Sequence, residues 1–285
     1  MVESDEHRTA GTLSPEDRRA AQRILESIAK DAAAELLRGF RGQTKIEFKG
    51  PVDLVTEFDR RSEAVIRERV ARELPGLSLI AEESGGSTRP GTATLFADPL
   101  DGTTNFAHGH PIFAVSLGLV EEGQGPTVGV VCAPVLGWTW SAVVGDGATR
   151  NGERITVSAQ QELRRSLLAT GFPYDRREAD PVNELQFAQF VAIERYSAQG
   201  IRRLGSAACD LCLVADGTYD GYWERKLSPW DLAGGAACVL AAGGALSSID
   251  GGAVDVGSGS IVATNGAIHR SLLEALAAVR DQRRP

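Results

Sequence analysis

The spacing of hydrophobic and polar positions changes character along the chain. Ser14 stands before Pro15, with Asp17 in the turn that follows, and apolar residues continue at helical spacing to about Phe40. This predicts a capped amphipathic helix. The stretch FRGQTKIEFKGP then breaks the period and reads as a loop or hairpin carrying Lys45 and Lys49. A second amphipathic helix is predicted from about residue 56 to residue 74, where Pro75-Gly76 stops it. Strand signals accumulate from there: LSLIAEE, TLFADP, FAVSLGLVEEG, PTVGVVCAPV and WTWSAVVGDGA, with turn residues between them. They predict one meandering, largely antiparallel sheet.

After GDGATRNGERI the texture alternates. SLLATGF and IRRLG read as short strands, and helices are predicted at about 181–198 and 206–216. GYWERK and SIVATN read as strands, PWDLAGGAACVLAAGG as a small-residue helix, and GAIHRSLLEALAAVRDQ as a final amphipathic helix. No repeat or low-complexity linker interrupts the chain. Residues 1–150, with the first helices and the large sheet, and the α/β half at 151–285 are therefore expected to form one continuous fold. That fold stacks helix and sheet in layers.

Composition narrows the function. With 285 residues, 42% of them hydrophobic, the chain can bury a sizeable core. A net charge of −8 leaves no basic surplus for a polyanion, so direct nucleic-acid binding is not expected. A small anionic substrate remains open if a cation bridges it to the protein. The charged opening MVESDEHRTAGTLSPEDRR is no signal peptide, and no apolar run reaches the roughly 20 residues of a membrane span. The expectation is a cytoplasmic protein. Cys209 and Cys212 form a C-x-x-C on an apolar helical pattern, without a second pair or a histidine cluster, and read as core.

The chemistry concentrates in FADPLDGTTNFAHG, at 96–109. Asp98 and Asp101 are crowded at the end of a buried strand, and two anions so close repel unless a cation lies between them. Gly102-Thr103-Thr104-Asn105 then opens a short helix whose N–H groups suit a phosphate. On this stretch alone, Asp101 serves equally well as a simple helix cap. Other acids also stand at the ends of separate elements: Glu82 and Glu83 after LSLIA, Asp53 and Asp59 around LVTEF, and Asp231 after Pro229-Trp230. Each alone has a plain reading as a solvated charge or a helix-dipole partner. Together they form the kind of oxygen donor set that holds Mg²⁺. His108 and His110 lack a third ligand on the same element and read as structural.

The segments DLVTEFD, AEES, DPLDGTTNF and PWDLAGG resemble the inositol monophosphatase family in order and spacing, over nearly the whole chain. GFPYD and DGYWERKLSPWD are most similar to its bacterial branch. The resemblance implies an α/β fold of the sugar-phosphatase type, an α-β-α-β-α sandwich, and usually a homodimer. It also implies Mg²⁺-dependent phosphomonoesterase activity, commonly lithium-sensitive. It places Glu82, Asp98 and the Leu100 carbonyl on a first Mg²⁺, and Asp98, Asp101 and Asp231 on a second, with Glu82 near a weaker third ion. Asp59 and Thr103 match the pair that orients the attacking water, and Gly102 and Thr103 the phosphate-binding amides. Glu224 matches the residue that reads ring hydroxyls, and Gly205-Ser206-Ala207 the loop beside it.

Read without the family, Glu224 is an ordinary strand-edge carboxylate. Three function classes follow: a phosphatase of inositol monophosphate or a similar polyol phosphate; a related phosphatase of fructose 1,6-bisphosphate, histidinol phosphate or a 3′-phosphonucleotide; or a regulatory protein-binding role. The full set of five acids speaks against a role in binding alone.

Overall fold

The computed structural model describes residues 12–42, 46–48, 54–173, 180–196 and 198–282. Helix α1 (Pro15–Gly39) is capped by Ser14, whose Oγ accepts from the Asp17 amide, and strands β1 (Ile46–Phe48) and β2 (Leu54–Thr56) form an antiparallel hairpin. Lys45, Lys49 and Asp53 lie outside the described residues. Helix α2 (Glu57–Glu73) follows, capped by Thr56 with Asp59 reaching back to it. Strands β3 (Ser78–Ala81), β4 (Gly85–Gly86) and β5 (Thr94–Asp101) lead to a five-residue helix α3 (Thr103–Ala107). Strands β6 (Ala114–Glu121), β7 (Gly125–Ala133), β8 (Trp138–Val143), β9 (Gly147–Arg150) and β10 (Glu153–Ile155) complete an eight-stranded sheet of order β10-β9-β8-β7-β6-β5-β3-β4. It is an antiparallel meander from β5 onward, with β3 parallel to β5.

The sequence pattern passed over β9 and β10. Gly147 follows a tight turn after β8, and Asn151-Gly152 turns with φ of +53° and +82°, the left-handed pair of a two-residue hairpin.

The chain then runs through β11 (Leu167–Thr170), α4 (Pro181–Tyr196), β12 (Gly200–Arg202), α5 (Ala207–Ala215), β13 (Gly221–Arg225), α6 (Pro229–Ala241), β14 (Ala245–Ser247), β15 (Ser260–Thr264) and α7 (His269–Gln282). The strands form a second, mixed sheet of order β12-β11-β13-β15-β14. Strand β14, too short to show a period, was also missed by pattern. Glu224 therefore lies on the central strand, not on an edge.

The layers read α-β-α-β-α. Helices α1 and α2 cover one face of the large sheet through Leu25, Ile28, Leu36, Ile66 and Val70, against Leu95, Leu117 and Val130. Helices α5 and α6 fill the space between the sheets with small side chains, the buried Cys209, Cys212 and Cys238 among them. Helices α4 and α7 cover the far face around Ile193, Trp223, Leu272 and Leu276. Among the described residues, no helix is long and apolar enough to cross a membrane.

The middle layer is thin for a steric reason. Gly118 on β6 pairs with Gly129 on β7, and a Cβ on either would fall 2.3 Å or 2.2 Å from backbone atoms of α6. Helix α6 thus rests on a bare patch of sheet, close enough to carry its first turn to the end of β5.

Candidate active site

In a regular strand, Asp98 and Asp101 would point to opposite faces. The register of β5 against β6 passes from Asp98↔Ser116 to Asp101↔Ala114, so three steps on one strand face two on the other. This bulge occurs where Pro99 has no N–H to give the ladder, and it turns both aspartates into one pocket. Asp98 Oδ1 accepts from the Leu100 amide at 2.9 Å, and Ser62 Oγ on α2 donates to the Pro99 carbonyl at 2.8 Å.

Gly102, with φ of +91°, turns the chain into α3, and a Cβ there would lie 3.1 Å from the Ile112 carbonyl and 3.2 Å from that of Gly205. Only glycine meets both demands. Asn105 Nδ2 donates to the carbonyls of Ile112 (2.6 Å) and Leu204 (2.8 Å), tying α3 to the loop before α5. Ser206 Oγ, at the N-cap of α5, and the Ala208 amide in its first turn donate to Asp101 Oδ2 at 2.6 Å and 2.8 Å. Asp231, in the first turn of α6, accepts from the Ser228 amide at 2.7 Å, so it caps its helix as well as lining the pocket.

The opposite wall belongs to α2 and α3. Asp59 Oδ2 accepts from the Thr56 amide at 2.8 Å and from Thr56 Oγ1 at 2.6 Å. Its Oδ1 lies 3.1 Å from Thr103 Oγ1, which also lies 3.0 Å from the Leu100 carbonyl. The third wall is β13. Glu224, 8% exposed, accepts from Tyr222 Oη at 2.5 Å. Its carboxylate lies against Gly171, where a Cβ would fall 2.0 Å from Oε2.

One pocket is lined by Glu82, Asp98, Asp101, Gly102, Thr103, Gly205, Ser206, Ala207, Glu224 and Asp231. Asp59 stands one hydrogen bond behind Thr103 and Leu100 is buried beneath, so neither side chain lines it. The sequence reading did not single out Gly171, Phe172 or Arg203 as site residues, and the fold brings all three into the lining. The Arg203 guanidinium carbon lies over the Phe172 ring, 5.5 Å from its centroid. His108 and His110 are exposed and outside the pocket. Among the described residues, no three Asp, Glu, His or Cys side chains already close around one point. The acids thus share one pocket without closing on a single position, and Asp98, Asp101 and Asp231 are each turned toward their own hydrogen-bond donors.

The charges are unfavourable to one another. Burial, and then the charges of Glu82, Asp101 and Asp231, holds the Asp98 carboxyl well above its ordinary range. Burial and the Asp101 charge do the same to Asp231, and burial raises Asp101 to about 6. Burial lifts Glu224 to about 7 against the Tyr222 hydrogen bond, and lifts Asp59 against its Thr56 and Thr103 bonds. Five buried or half-buried carboxylates, Glu82, Asp98, Asp101, Glu224 and Asp231, face a single basic lining residue, Arg203. Hard oxygen donors with uncompensated charge fit a divalent cation of the Mg²⁺ type.

Residues 17–284 match the Inositol monophosphatase family. The chain belongs to the inositol monophosphatase family. Inositol-1-monophosphatase of Synechocystis sp. is 43% identical, over 93% of this chain and 92% of its own length. Inositol-1-monophosphatase of Mesorhizobium japonicum is 36% identical, over 91% of this chain and 97% of its own. The solved structure of inositol monophosphatase from Anabaena (Nostoc) sp. superposes with a TM-score of 0.83 at 41% identity, over 92% of this chain and 97% of that one. The layered sandwich is accordingly this family's fold.

Proposed function

We propose that this family member is a Mg²⁺-dependent phosphomonoesterase that hydrolyses inositol monophosphate, or a closely similar polyol phosphate, to the alcohol and phosphate. The observation that carries the reading is the single pocket in which Glu82, Asp98, Asp101 and Asp231 meet the Thr103–Asp59 pair on one side and the buried Glu224 on the other. Glu82, Asp98 and the Leu100 carbonyl would hold one ion, Asp98, Asp101 and Asp231 a second, and Glu82 a weaker third. Bound there, Mg²⁺ acidifies a water and neutralises charge on the phosphoryl and leaving oxygens.

The chain's own groups do the rest. Thr103 Oγ1, with its proton directed to Asp59 Oδ1, keeps its lone pairs for the attacking water and so aligns it. The Gly102 and Thr103 amides, at the open end of α3, receive phosphate oxygens. Glu224, with the loop Gly205-Ser206-Ala207 beside it, accepts hydrogen bonds from hydroxyls of the alcohol. Arg203 supports a second reading, because a guanidinium at the pocket suits an alcohol bearing another anionic group, as in fructose 1,6-bisphosphate.

A homodimer and a cytoplasmic setting belong to the same reading. The exposed Phe187 and Val191, one turn apart on α4, offer apolar surface for self-association, and four buried cysteines without a disulfide suit a reducing compartment. The test is phosphate release with Mg²⁺ over inositol phosphates, fructose 1,6-bisphosphate, histidinol phosphate and 3′-phosphoadenosine 5′-phosphate. Highest kcat/KM on an inositol monophosphate is expected, and none on any of the panel would sink the reading.

A further inference from the structure

Asp59, Ser62 and Glu63 occupy positions i, i+3 and i+4 of α2, so they share one side of the helix, and all three are buried. A buried polar stripe is unfavourable unless each group is bonded. Here each bond leads to a different arm of the pocket. Asp59 reaches Thr103, and Ser62 holds the carbonyl of Pro99 in the β5 bulge. Glu63 accepts from two consecutive amides, Glu83 N at 2.8 Å on Oε2 and Ser84 N at 3.1 Å on Oε1.

Those amides lie in the turn between β3 and β4, immediately after Glu82. The Glu82 amide itself still bonds the Ala97 carbonyl of β5 at 3.1 Å. The peptide plane before Glu82 is thus held by the sheet. The two planes after it are held by Glu63 through charge-assisted hydrogen bonds. With both sides set, the direction of the Glu82 side chain follows.

We propose that Glu63 is a positioning residue for Glu82, holding the 82–84 turn so that Glu82 is presented to a divalent cation in the pocket. The proposal rests on the Mg²⁺-dependent reading above. Glu63 touches neither substrate nor ion; it acts through the backbone of residues 83 and 84.

The experiment compares wild type with Glu63→Gln, in which an NH₂ group replaces one of the two acceptors, by titration calorimetry with Mg²⁺ alone and by steady-state kinetics. Loss of such an outer-shell partner is expected to weaken Mg²⁺ binding about 10-fold. The Mg²⁺ dependence of turnover should move by the same factor, and KM for inositol 1-phosphate at saturating Mg²⁺ should change by less than about 2-fold. Glu63→Asp keeps the charge but withdraws it by one methylene, and should shift Mg²⁺ affinity likewise if the glutamine variant does not fold. Thr127→Val, which removes a hydroxyl bonded to Glu121 at 2.7 Å far from the pocket, should lower Tm and leave Mg²⁺ affinity alone. A folded Glu63 variant with wild-type Mg²⁺ affinity, or an equal shift in Thr127→Val, overturns the proposal while the phosphatase reading stands. A wild-type protein that neither binds Mg²⁺ nor hydrolyses inositol 1-phosphate overturns both.

Discussion

Helices α2 and α6 each serve the same pocket with a carboxylate, α2 with Asp59 one hydrogen bond behind Thr103 and α6 with Asp231 in the lining, and they do so by opposite means. Helix α2 uses large apolar residues, Ile66 and Val70 among them, to meet the core, and reaches the site through a stripe of bonded polar groups. Helix α6 has almost no polar reach. Its residues Ala233 and Gly234 press onto the bare Gly118–Gly129 patch, and that close backbone contact limits how far Asp231 can stand from the sheet. A wall held by hydrogen bonds yields in graded steps when one bond is lost. A wall held by backbone contact has nowhere to move.

The largest effect expected is therefore on the α6 side. Gly118→Val would place a Cβ 2.3 Å from the Ala233 backbone, a clash that no rotamer change relieves. We expect a loss of about 4 kcal/mol or more, read as failure to give soluble folded protein or as a collapse of Tm. Near wild-type stability would show that the layer can open and would dissolve the contrast with α2.

Asp98→Asn comes next. A neutral amide replaces the carboxylate expected to bridge two ions, and kcat should fall about 10³-fold at saturating Mg²⁺, roughly 4 kcal/mol. The fold should gain rather than lose. A buried acid whose carboxyl is raised in the folded state opposes folding once pH exceeds its unfolded value, so removing the charge at pH 7 should raise Tm in EDTA. Unchanged turnover would refute the ligand assignment.

Thr103→Ala tests the α2 wall directly. Loss of the hydroxyl between Asp59 and the attacking water should lower kcat about 10²-fold with KM little changed. A raised KM alone would make Thr103 a binding residue.

The smallest effect is expected at Glu224, on the third wall. Glu224→Gln should cost about 1–3 kcal/mol in kcat/KM on inositol 1-phosphate and far less on p-nitrophenyl phosphate. Equal losses on both would instead mean that Glu224 supports the acidic cluster. Its pH signature has a definite sign. With the folded carboxyl raised from 4.5 to about 7, the folded state holds the extra proton between those values, so wild-type stability falls as pH rises from about 4.5 to 7. Chemical denaturation at pH 5 and pH 8 should show Glu224→Gln losing less over that interval, and equal slopes would refute the shift.

Much of the frame was legible before any coordinates. Ser14-Pro15 and Thr56 announced their helices, and the apolar runs at 94–143 announced the sheet, because capping and strand burial are local or nearly local demands. The hairpin of β9 and β10 was equally local but was overlooked at Asn151-Gly152. The central place of the Glu224 strand was not legible, for a different reason. Strand order in the second sheet depends on crossovers, and β11 and β15 come to flank β13 from opposite directions along the chain.

The sequence by itself determined which residues are candidates for the chemistry: the acids of DPLDGTT, AEES and PWD, and the glycine turn at Gly102 are recognisable from type and spacing. Only the tertiary structure decided how they are aimed. The bulge at Pro99, the glycine patch beneath α6, Gly171 under Glu224 and the Glu63 carboxylate across the 82–84 turn are contacts between segments far apart in sequence. No local pattern encodes such pairings, because the free energy that selects them comes from burying the layers against one another, and that exists only once the whole chain has packed.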